Sequence, residues 1–254
     1  MADASGVMEM RAIAFVGYKK SGKTTTIEAV ARVLKERGYR VGIAKSMHVD
    51  FDRGETDSWR FSRIADHVLI KAHDTDALLF KSRDINAFFS MMPDVDFLLL
   101  EGFKSIKHVP KVICARSEDD VRDLNDGLAI AVSGIMAGKG IREIDGLPVI
   151  NAVTEREELA DLIEERAFML PNINCGMCGF TCAEMAEMIV KGEKTLRDCV
   201  VLSQRARVTV RIDGQVLPMK DWVQELVEKT VKGMLSAMKG YRGGRRIEIL
   251  IREE

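Results

Sequence analysis

The stretch FVGYKKSGKTTT, residues 15–26, decides the fold because it contains the whole phosphate-binding loop pattern G-x-x-x-x-G-K-[ST]. Gly17 opens the pattern, and Gly22, Lys23 and Thr24 close it. Gly17 is expected to let the chain leave a strand in a conformation that a side chain would block. The pattern therefore predicts a turn from a strand into a helix that is shaped around an anion.

Each polar group of this loop has an expected role. Backbone N–H groups are expected to surround a phosphate at the N-terminus of the following helix. The residues that would supply them are Lys20, Ser21, Gly22 and Thr25. The ammonium group of Lys23 is expected to reach the β- and γ-phosphates, and the hydroxyl of Thr24 to bind Mg²⁺. The side chains of Lys19 and Lys20 are more simply explained as solvated.

The flanking residues supply the strand and the helix that such a loop requires. Ala12–Val16 is an unbroken apolar run, which is typical of a strand buried on both faces of a parallel sheet. A helical stripe of apolar residues follows and ends near Gly38. The stripe consists of Ile27, Val30, Ala31 and Leu34. A chance Gly/Lys turn is the weaker alternative, and we interpret the stretch as a nucleotide-binding loop.

The composition is that of a folded protein with one or two domains. The chain has 254 residues, 46% of them hydrophobic, which suffices for a core. A net charge of −1 provides no overall field that favours nucleic acid or an anionic membrane. The first ten residues lack the apolar segment of an export signal, and no apolar stretch is long enough to span a membrane. We expect a cytoplasmic protein with a flexible leader.

Strand-like and helix-like segments alternate through the first two-thirds of the chain. This predicts an α/β domain with a P-loop NTPase-like, mostly parallel sheet flanked by helices, and ligands at the carboxyl ends of its strands. Further predicted strands are Val41–Lys45, His67–Lys71, Ala77–Phe80, Val95–Leu100, Val109–Ala115, Leu128–Ser133 and Leu147–Asn151. Predicted helices are Lys23–Arg37, Ser58–Ala65, Ile85–Met91 and Thr154–Ala167. The last is expected to begin with a capping box formed by Thr154 and Glu157.

Acidic residues follow two of the predicted strands. Glu101 closes the apolar strand that ends at Leu100, and Asp50 follows the strand that ends at Lys45. In a phosphate-loop protein such carboxylates position the metal ion or the water, so both are candidates for the Mg²⁺ shell. The alternative is a solvated carboxylate at each position. His48 is a weaker candidate, because a single loop histidine is more often a surface residue.

Several motifs follow the phosphate loop GYKKSGKTTT in a fixed order: AKSMHVDFD, DSWR, FLLLEGFK and VPKV. From Arg11 to Arg166 the chain therefore resembles the MobB family, the molybdopterin-guanine dinucleotide biosynthesis adaptors. The resemblance implies binding of GTP with Mg²⁺, and assistance to the guanylyltransferase that joins GMP to the molybdenum or tungsten molybdopterin. It also implies a nucleotide and partner face made of Lys45, His48, Asp50, Asp57, Arg60, Glu101 and Lys104.

The chain departs from the family pattern in two places. Ser46 and Val49 stand where family members often have histidines, and no N-K-x-D guanine signature is present. The candidate base loop near Ser133-Gly134 also lacks an acidic residue, so guanine specificity rests on the resemblance alone. No arginine or glutamine is clearly placed to assist hydrolysis. We therefore expect at most a slow GTPase, at about 10⁻⁴–10⁻² s⁻¹, that acts as an adaptor.

A group of basic residues lies just beyond Glu101. It consists of Lys104, Lys107, His108 and Lys111. Such a group is usually a solvated face. Because it follows a candidate metal ligand, the alternative is a surface that holds a pterin phosphate or an acidic partner.

Four of the five cysteines lie in one short segment with the spacing C-x2-C-x3-C-x16-C. They are Cys175, Cys178, Cys182 and Cys199. Clustered cysteines in a cytosolic protein indicate a metal site, since disulfides are disfavoured there. A helical stripe that begins at Cys182 and ends near Gly192 would place three thiolates at a helix N-terminus and return the fourth after the helix.

We favour a [4Fe–4S] cluster for this segment, because glycines next to Cys175 and Cys178 would let backbone amides approach the sulfur atoms. The segment also resembles a four-cysteine [4Fe–4S] module of electron-transfer and corrinoid proteins, which usually has one more residue before its third cysteine. Structural Zn²⁺ and unliganded thiols are the alternatives. Cys114, in a predicted strand, is expected to be a buried apolar residue.

The tail predicts a small α+β unit. Val208–Ile212 and Gln215–Leu217 flank Asp213-Gly214, which indicates a hairpin, and an apolar helical stripe runs from Val223 to Met234. Ile247–Ile251 alternates like a closing strand. We therefore predict a nucleotide-binding domain over residues 11–168, an iron–sulfur module over 169–204 and a C-terminal unit over 205–254.

Three functions are compatible with these features. The favoured one is a GTP-binding accessory protein for guanylation of molybdopterin that carries a [4Fe–4S] cluster. The second is a nucleotide-driven metallocentre or iron–sulfur maturation factor, and the third is a redox protein that nucleotide regulates. We expect no nucleic-acid or membrane partner, and homodimerisation stays open.

Overall fold

A five-stranded sheet forms the centre of the computed structural model. The structure describes residues 10–47, 56–81, 85–92, 95–203, 208, 210–212, 215–217, 219, 221–243, 247 and 249. The strands are β1 Arg11–Val16, β2 Val41–Lys45, β3 His67–Lys71, β4 Asp76–Phe80, β5 Phe97–Glu101, β6 Lys111–Cys114, β7 Ala129–Ser133, β8 Glu143–Ile144, β9 Leu147–Pro148, β10 Val210–Ile212 and β11 Gln215–Leu217. The helices are α1 Lys23–Glu36, α2 Asp57–Ile64, α3 Ile85–Ser90, α4 Glu118–Leu124, α5 Arg156–Arg166, α6 Cys182–Val190, α7 Val200–Ser203 and α8 Asp221–Ser236.

The central sheet is parallel, with the strand order β2-β5-β1-β6-β7. Apart from Arg11 at the start of β1 and Glu101 at the end of β5, these two inner strands are apolar at every position, because both of their faces are covered. Along β1, Ile13 and Phe15 pack on the face that α1 and α5 cover, whereas Ala12 and Ala14 pack on the opposite face. The predicted α/β fold with a mostly parallel sheet is confirmed.

The order of the strands brings the functional loops to one edge. In a parallel sheet all carboxyl ends lie on the same side, and here β1 stands between β5 and β6. The loop after β1 is therefore flanked by the residues that follow β5 and β6. This places Gly17, Glu101 and Cys114 next to one another at the same edge.

Two sequence predictions are wrong in detail. The predicted strand Leu147–Asn151 contains only the two-residue β9, although Val149 forms a single parallel bridge to Val132. The predicted capping box of Thr154 does not form, because α5 begins at Arg156 and its N-cap, Glu155, makes no side-chain cap bond. The carboxylate of Glu155 instead accepts a hydrogen bond from the backbone N–H of Asn151, at 2.9 Å.

Strands β3 and β4 pair with each other in a separate antiparallel hairpin and take no part in the central sheet. Their predicted positions are otherwise close to the observed ones. None of the helices in the described part of the chain combines the length and the apolar composition that a membrane crossing needs.

The chain divides into two compact units, Met1–Thr195 and Leu196–Glu254. In the second unit β10 and β11 pair in antiparallel fashion, as the hairpin pattern predicts, and α8 follows. The predicted turn residues Asp213 and Gly214 lie outside the described residues, as does most of the predicted strand Ile247–Ile251.

Candidate functional site

The phosphate loop joins β1 to α1, as predicted, and its glycines are required by the surrounding atoms. A Cβ at Gly17 would lie 2.3 Å from the carbonyl oxygen of Cys114 and 2.4 Å from Oγ of Ser21. Gly17 is thus needed for space, and the expectation of an unusual backbone conformation applies instead to Gly22, whose φ is 91°. Lys20 shares the left-handed conformation, with φ of 61°.

The loop after β7 supports the phosphate loop from the side. Ile135 donates its backbone N–H to the carbonyl oxygen of Ser21, at 3.2 Å. A Cβ at Gly134 would lie 2.2 Å from that same oxygen, so only glycine fits. From the sequence, Ser133-Gly134 is a candidate for the loop that contacts the nucleotide base, and its contact with the phosphate loop is not indicated there. The position of Gly134 directly after an apolar strand was the sequence feature that could have indicated the contact, because such a glycine often marks close approach of two backbones.

Lys23 holds the phosphate loop in a closed form. Its ammonium group donates to the carbonyl oxygens of Gly17, at 3.1 Å, and Tyr18, at 2.7 Å. Burial lowers the pKa of Lys23, and the nearby ammonium groups of Lys104 and Lys45 lower it further, whereas Glu101 opposes the change. The lysine that the pattern assigns to the phosphates is therefore in place within the loop.

Thr24 and Glu101, the two described candidates for Mg²⁺, lie together. The Thr24 hydroxyl donates to Oε1 of Glu101 at 3.4 Å, while the ammonium group of Lys45 donates to Oε2 of Glu101 at 2.9 Å. A hydroxyl and a carboxylate at this separation are oxygen donors of the kind that Mg²⁺ uses beside a triphosphate. The chemistry of this donor pair fits the ion. Asp50 and His48 lie outside the described residues.

The charges around this pair favour a polyanion. Lys45 and Lys104 are both close enough to Lys23 to repel its charge, and among the described residues near Lys23 the carboxylate of Glu101 offsets this repulsion. A nucleoside triphosphate carries about four negative charges, of which Mg²⁺ neutralises two. The remaining negative charge, about two units, is matched by the excess positive charge of Lys23, Lys45 and Lys104 over the carboxylate of Glu101.

Side chains that follow β5 and β6 converge on Tyr18, which follows β1. The ammonium group of Lys104 lies 4.1 Å from the ring centroid, and the guanidinium of Arg116 lies 5.4 Å from it. The Tyr18 hydroxyl bonds to Asp123. The sequence analysis missed Tyr18, Arg116 and Asp123 because their approach depends on the packing of β6 and α4 beside β1. Arg116 itself is held by both oxygens of Asp120, at 2.9 and 3.1 Å.

The expected basic surface beyond Glu101 does not form as one face. Lys111 is buried, and both Lys107 and Lys111 bind the carboxylate of Asp126. His108 is also buried, and this burial lowers its pKa to about 4, so that the ring is neutral near pH 7. Of the four residues in the group, Lys104 is the one that lies against the phosphate loop.

Asp57 and Arg60, which the family resemblance assigns to the nucleotide and partner face, both lie in α2. They form a weak ion pair with each other at 3.8 Å, and both side chains are largely exposed. Thr56 caps this helix by accepting a hydrogen bond from the backbone N–H of Trp59.

The cysteine segment begins with a tightly curled loop. Four residues between 172 and 179 have positive φ: Asn172, Asn174, Gly176 and Gly179. Thr181 and Glu184 then form a capping box that starts α6 at Cys182, and Asn174 accepts a hydrogen bond from the Cys182 N–H at 2.8 Å. The predicted helix from Cys182 is therefore present, although it ends at Val190.

None of the four cysteines of the segment takes part in a disulfide within the described structure. Cys175, Cys178 and Cys182 are partly exposed, whereas Cys199 is buried and belongs to the second unit. Throughout the described ranges, no three His, Cys, Asp or Glu residues are grouped closely enough to hold a metal ion. The donor set fits a soft metal or an iron–sulfur cluster by its chemistry, since it consists of thiols that no disulfide removes.

Helix α6 is packed on the nucleotide-binding core. Met185 and Ala186 are buried, and the side chain of Glu187 fills the space beside Gly127, where an added Cβ would lie 3.0 Å from it. Leu170, just before the cysteines, donates its N–H to the carbonyl oxygen of His108 at 3.0 Å. Cys114 is buried beneath the phosphate loop, and burial raises the pKa of its thiol to about 12, which agrees with its predicted apolar role.

Comparisons with known proteins match two separate regions of the chain. Residues 12–133 match the family described as "Molybdopterin guanine dinucleotide synthesis protein B", MobB. Residues 12–133 are therefore similar to MobB proteins. Residues 170–201 match a second family, described as "Putative Fe-S cluster", so the MobB-like region is followed by a region of that type.

Relatives of known sequence support the likeness to MobB, and a solved structure shares the fold. The chain is 28% identical over 250 residues to the "Putative molybdopterin-guanine dinucleotide biosynthesis adapter protein" of Methanocaldococcus jannaschii. This alignment covers 95% of this chain and 97% of that protein. It is 32% identical over 114 residues to the molybdopterin-guanine dinucleotide biosynthesis adapter protein of Haemophilus influenzae, covering 42% of this chain and 64% of that protein. The crystal structure of Bacillus subtilis MobB matches the fold with a TM-score of 0.51 and 23% identity, covering 62% of this chain and 98% of that one.

Proposed function

We propose that this chain is a GTP-binding accessory protein that assists the attachment of GMP to molybdopterin. The observation that carries the proposal is a complete phosphate loop in a MobB domain, with Lys23 inside the loop and Thr24 beside Glu101. The two adapter relatives support the pathway, because their names place them in molybdopterin-guanine dinucleotide biosynthesis.

The loop residues have distinct roles in this proposal. Backbone N–H groups bind the phosphates, and Lys23 exchanges its bonds to the loop carbonyls for bonds to the β- and γ-phosphates. Thr24 and Glu101 would hold Mg²⁺, which would offset the charge of the phosphates, with Asp50 as a further candidate for the same shell. The residues that we propose to contact nucleotide or metal are Gly17, Lys20, Ser21, Gly22, Lys23, Thr24, Thr25, Asp50 and Glu101.

Hydrolysis by the isolated protein is expected to be slow. Arg116 lies close to Tyr18 of the loop, and its guanidinium is already engaged in a bidentate ion pair with Asp120. A site that lacks a free arginine is completed by a partner in many GTPases. The proposed partner is the molybdopterin guanylyltransferase, which would meet the exposed face that carries Asp57 and Arg60.

We further propose that Cys175, Cys178, Cys182 and Cys199 bind one [4Fe–4S] cluster. The proposal rests on their spacing, on the match of residues 170–201 and on the absence of disulfides among these cysteines in the described structure. A bound cluster would supply one-electron chemistry or a brace for the segment. Gly176 and Gly179 shape the loop around the first two thiols, and the N-terminus of α6 presents the third.

A second function, maturation of a metallocentre, is favoured by one observation. Three of the four thiols are partly exposed, and an exposed cluster can be transferred to an acceptor. Incubation of the iron-loaded protein with an apo-acceptor would distinguish the two functions. Transfer of iron and sulfide to the acceptor would favour maturation, and retention of the cluster would favour the accessory role.

The accessory role is tested by anaerobic purification followed by capture of the guanylyltransferase on immobilised protein. The experiment compares nucleotide-free protein with protein that is saturated with Mg-GTP or Mg-ATP. We expect capture that GTP alters and ATP does not. Absence of capture in every state, or rapid hydrolysis by the isolated protein, would contradict an adaptor function.

A further inference from the structure

A buried lysine in the central sheet binds two different partners. Lys111 begins β6 and is 1% exposed. Its ammonium group donates to Oδ2 of Asp126 at 2.6 Å and to the carbonyl oxygen of Lys104 at 2.8 Å. A buried charge is costly unless it is paired and fully hydrogen-bonded, so this lysine is constrained to one position. It fixes a backbone atom of the loop that follows β5.

That loop leaves β5 through an unusual backbone turn. Gly102 and Phe103 both have positive φ, 91° and 47°, and this conformation is unfavourable for a phenylalanine. The Phe103 ring is held by Phe88 and Phe89, with centroid distances of 6.4 and 5.8 Å. The hydrogen bond from the Lys111 ammonium group is made to the carbonyl oxygen of the next residue, Lys104. The turn between Glu101 and Lys104 is therefore fixed by the ring packing and by the buried ammonium group.

The turn directs the Lys104 side chain to the phosphate loop. Its ammonium group lies 4.1 Å from the ring centroid of Tyr18 and is near enough to Lys23 to lower the pKa of that lysine. In the described part of the chain Lys104 forms no ion pair with a carboxylate, in contrast to Arg116, which also approaches Tyr18 but is paired with Asp120. Lys104 thus has a charge available for an anion at the loop.

We propose that Lys111 is a positioning residue for phosphate binding: it holds the main chain of Lys104 so that the Lys104 ammonium group meets the phosphates of the bound nucleotide. This inference rests on the proposed nucleotide-binding function. It assigns a role in phosphate binding to Lys111, whose buried side chain cannot itself reach a ligand. Because Lys111 is buried in β6, it acts through Lys104 and through no contact of its own.

Lys107 provides a matched control. Lys107 and Lys111 bind the same oxygen of Asp126. Lys107 is half-exposed, and its ammonium group makes no hydrogen bond to Lys104 within the described structure, so it shares the ion pair and lacks the positioning contact. Lys107→Met therefore removes a charge from Asp126 without releasing the loop.

The test is a double-mutant cycle on the dissociation constant for Mg-GTP, measured by calorimetry with the full chain. The variants are Lys104→Ala, Lys111→Met and the double variant, with thermal unfolding recorded for each. We expect each single change to weaken binding about tenfold, and the double change to weaken it by about the same factor, because both remove one interaction. Lys107→Met should stay within about twofold of wild type.

Wild-type binding is measured first, so that absence of GTP binding overturns the proposed function and not the positioning role. If wild type binds, two results would overturn the positioning role. One is equal weakening by Lys107→Met and Lys111→Met, and the other is a double variant that multiplies the single effects to about a hundredfold. If Lys111→Met does not fold, Asp126→Asn takes its place in the cycle, because it weakens the ion pair that holds Lys111 with little change in volume. A combined effect of Asp126→Asn and Lys104→Ala that is no larger than either single effect would support the positioning role, and multiplied effects would overturn it.

Discussion

The phosphate loop and the cysteine segment differ in how far the protein alone shapes them. In the phosphate loop several groups are held by their surroundings: Gly17 fits against Cys114, the Ser21 carbonyl oxygen accepts from Ile135, and Lys23 bonds to two loop carbonyls. In the cysteine segment the backbone turns and the start of α6 are defined, yet no three donor side chains are grouped at metal-binding distance among the described residues.

The difference follows from what each ligand can contribute. A phosphate is bound mainly by backbone N–H groups and by charge, and the sheet can arrange these without the ligand. Thiolates repel one another and need a metal to bring them together, so metal binding and local folding are coupled. We therefore expect the nucleotide site to be preorganised and the cysteine site to be completed by the cluster.

The largest effect is expected from removal of a single thiol. Anaerobically prepared protein should contain about four irons and four sulfides per chain, and Cys178→Ser should lose most of both, because a cubane needs four ligands. Iron and sulfide analysis together with the visible absorption spectrum measures this.

Cys114→Ser is the matched control for the thiol experiment, because Cys114 is buried in β6 beneath the phosphate loop. This variant should keep the full iron content. Stoichiometric zinc without iron in strictly anaerobic wild-type protein would replace the cluster with a structural zinc site and remove the redox interpretation.

The next largest effect concerns the preorganised site. Lys23→Ala removes the charge that meets the β- and γ-phosphates, so triphosphate affinity should fall by about 2–4 kcal/mol while the fold stays intact. Calorimetric titration with Mg-GTP measures the affinity, and thermal unfolding confirms the fold. Lys19→Ala is the control: the side chain of Lys19 is exposed, and its removal should change the affinity little. Unchanged affinity in Lys23→Ala would contradict the phosphate-loop assignment.

His108, on which Leu170 of the cysteine segment is anchored, gives a pH-dependent test of stability. Burial lowers its pKa to about 4, so between about pH 6.5 and 4 the unfolded chain binds a proton that the folded chain does not. The free energy of unfolding should therefore decrease as the pH is lowered from about 6.5 to 4. His108 contributes up to about 3 kcal/mol to this decrease. Below about pH 4 the residue adds no further change.

Chemical denaturation of wild type and His108→Gln at pH 7 and pH 4.5 isolates this contribution, because the other titrating groups are common to both proteins. The variant should lose less stability on acidification than wild type does. An equal loss in both proteins would show that His108 is protonated without cost in the folded state.

The sequence predicts the phosphate loop and most strands because these are local patterns. Gly17 through Thr24 form one contiguous motif, and β2 and β3 match their predicted bounds, Val41–Lys45 and His67–Lys71. The capping box of Thr154 and Glu157 was also a local pattern, and it is absent because α5 begins later, at Arg156, and the Glu157 carboxylate binds Arg37.

The parts that the sequence did not predict depend on strand order. Lys104, Arg116 and Tyr18 follow three different strands, and they meet because β1 lies between β5 and β6. The burial of Lys111 likewise depends on Asp126, which lies in the connection between α4 and β7 and supplies the opposite charge. No single stretch of sequence contains these relations.

The smallest expected effect is that of cluster loss on nucleotide binding. If the nucleotide site is preorganised by the sheet, protein stripped of iron should bind Mg-GTP within about twofold of the iron-loaded protein, as expected for separately packed sites. A larger difference would mean that the cysteine segment, which packs on the core near His108 and Gly127, is coupled to the phosphate loop.

Calorimetric titration of anaerobically prepared wild-type protein with Mg-GTP and, separately, with Mg-ATP tests the central claim most directly. The account predicts one saturable site per chain that prefers GTP and that Lys23→Ala weakens. Absence of saturable binding by either nucleotide, or binding that Lys23→Ala leaves unchanged, would contradict it.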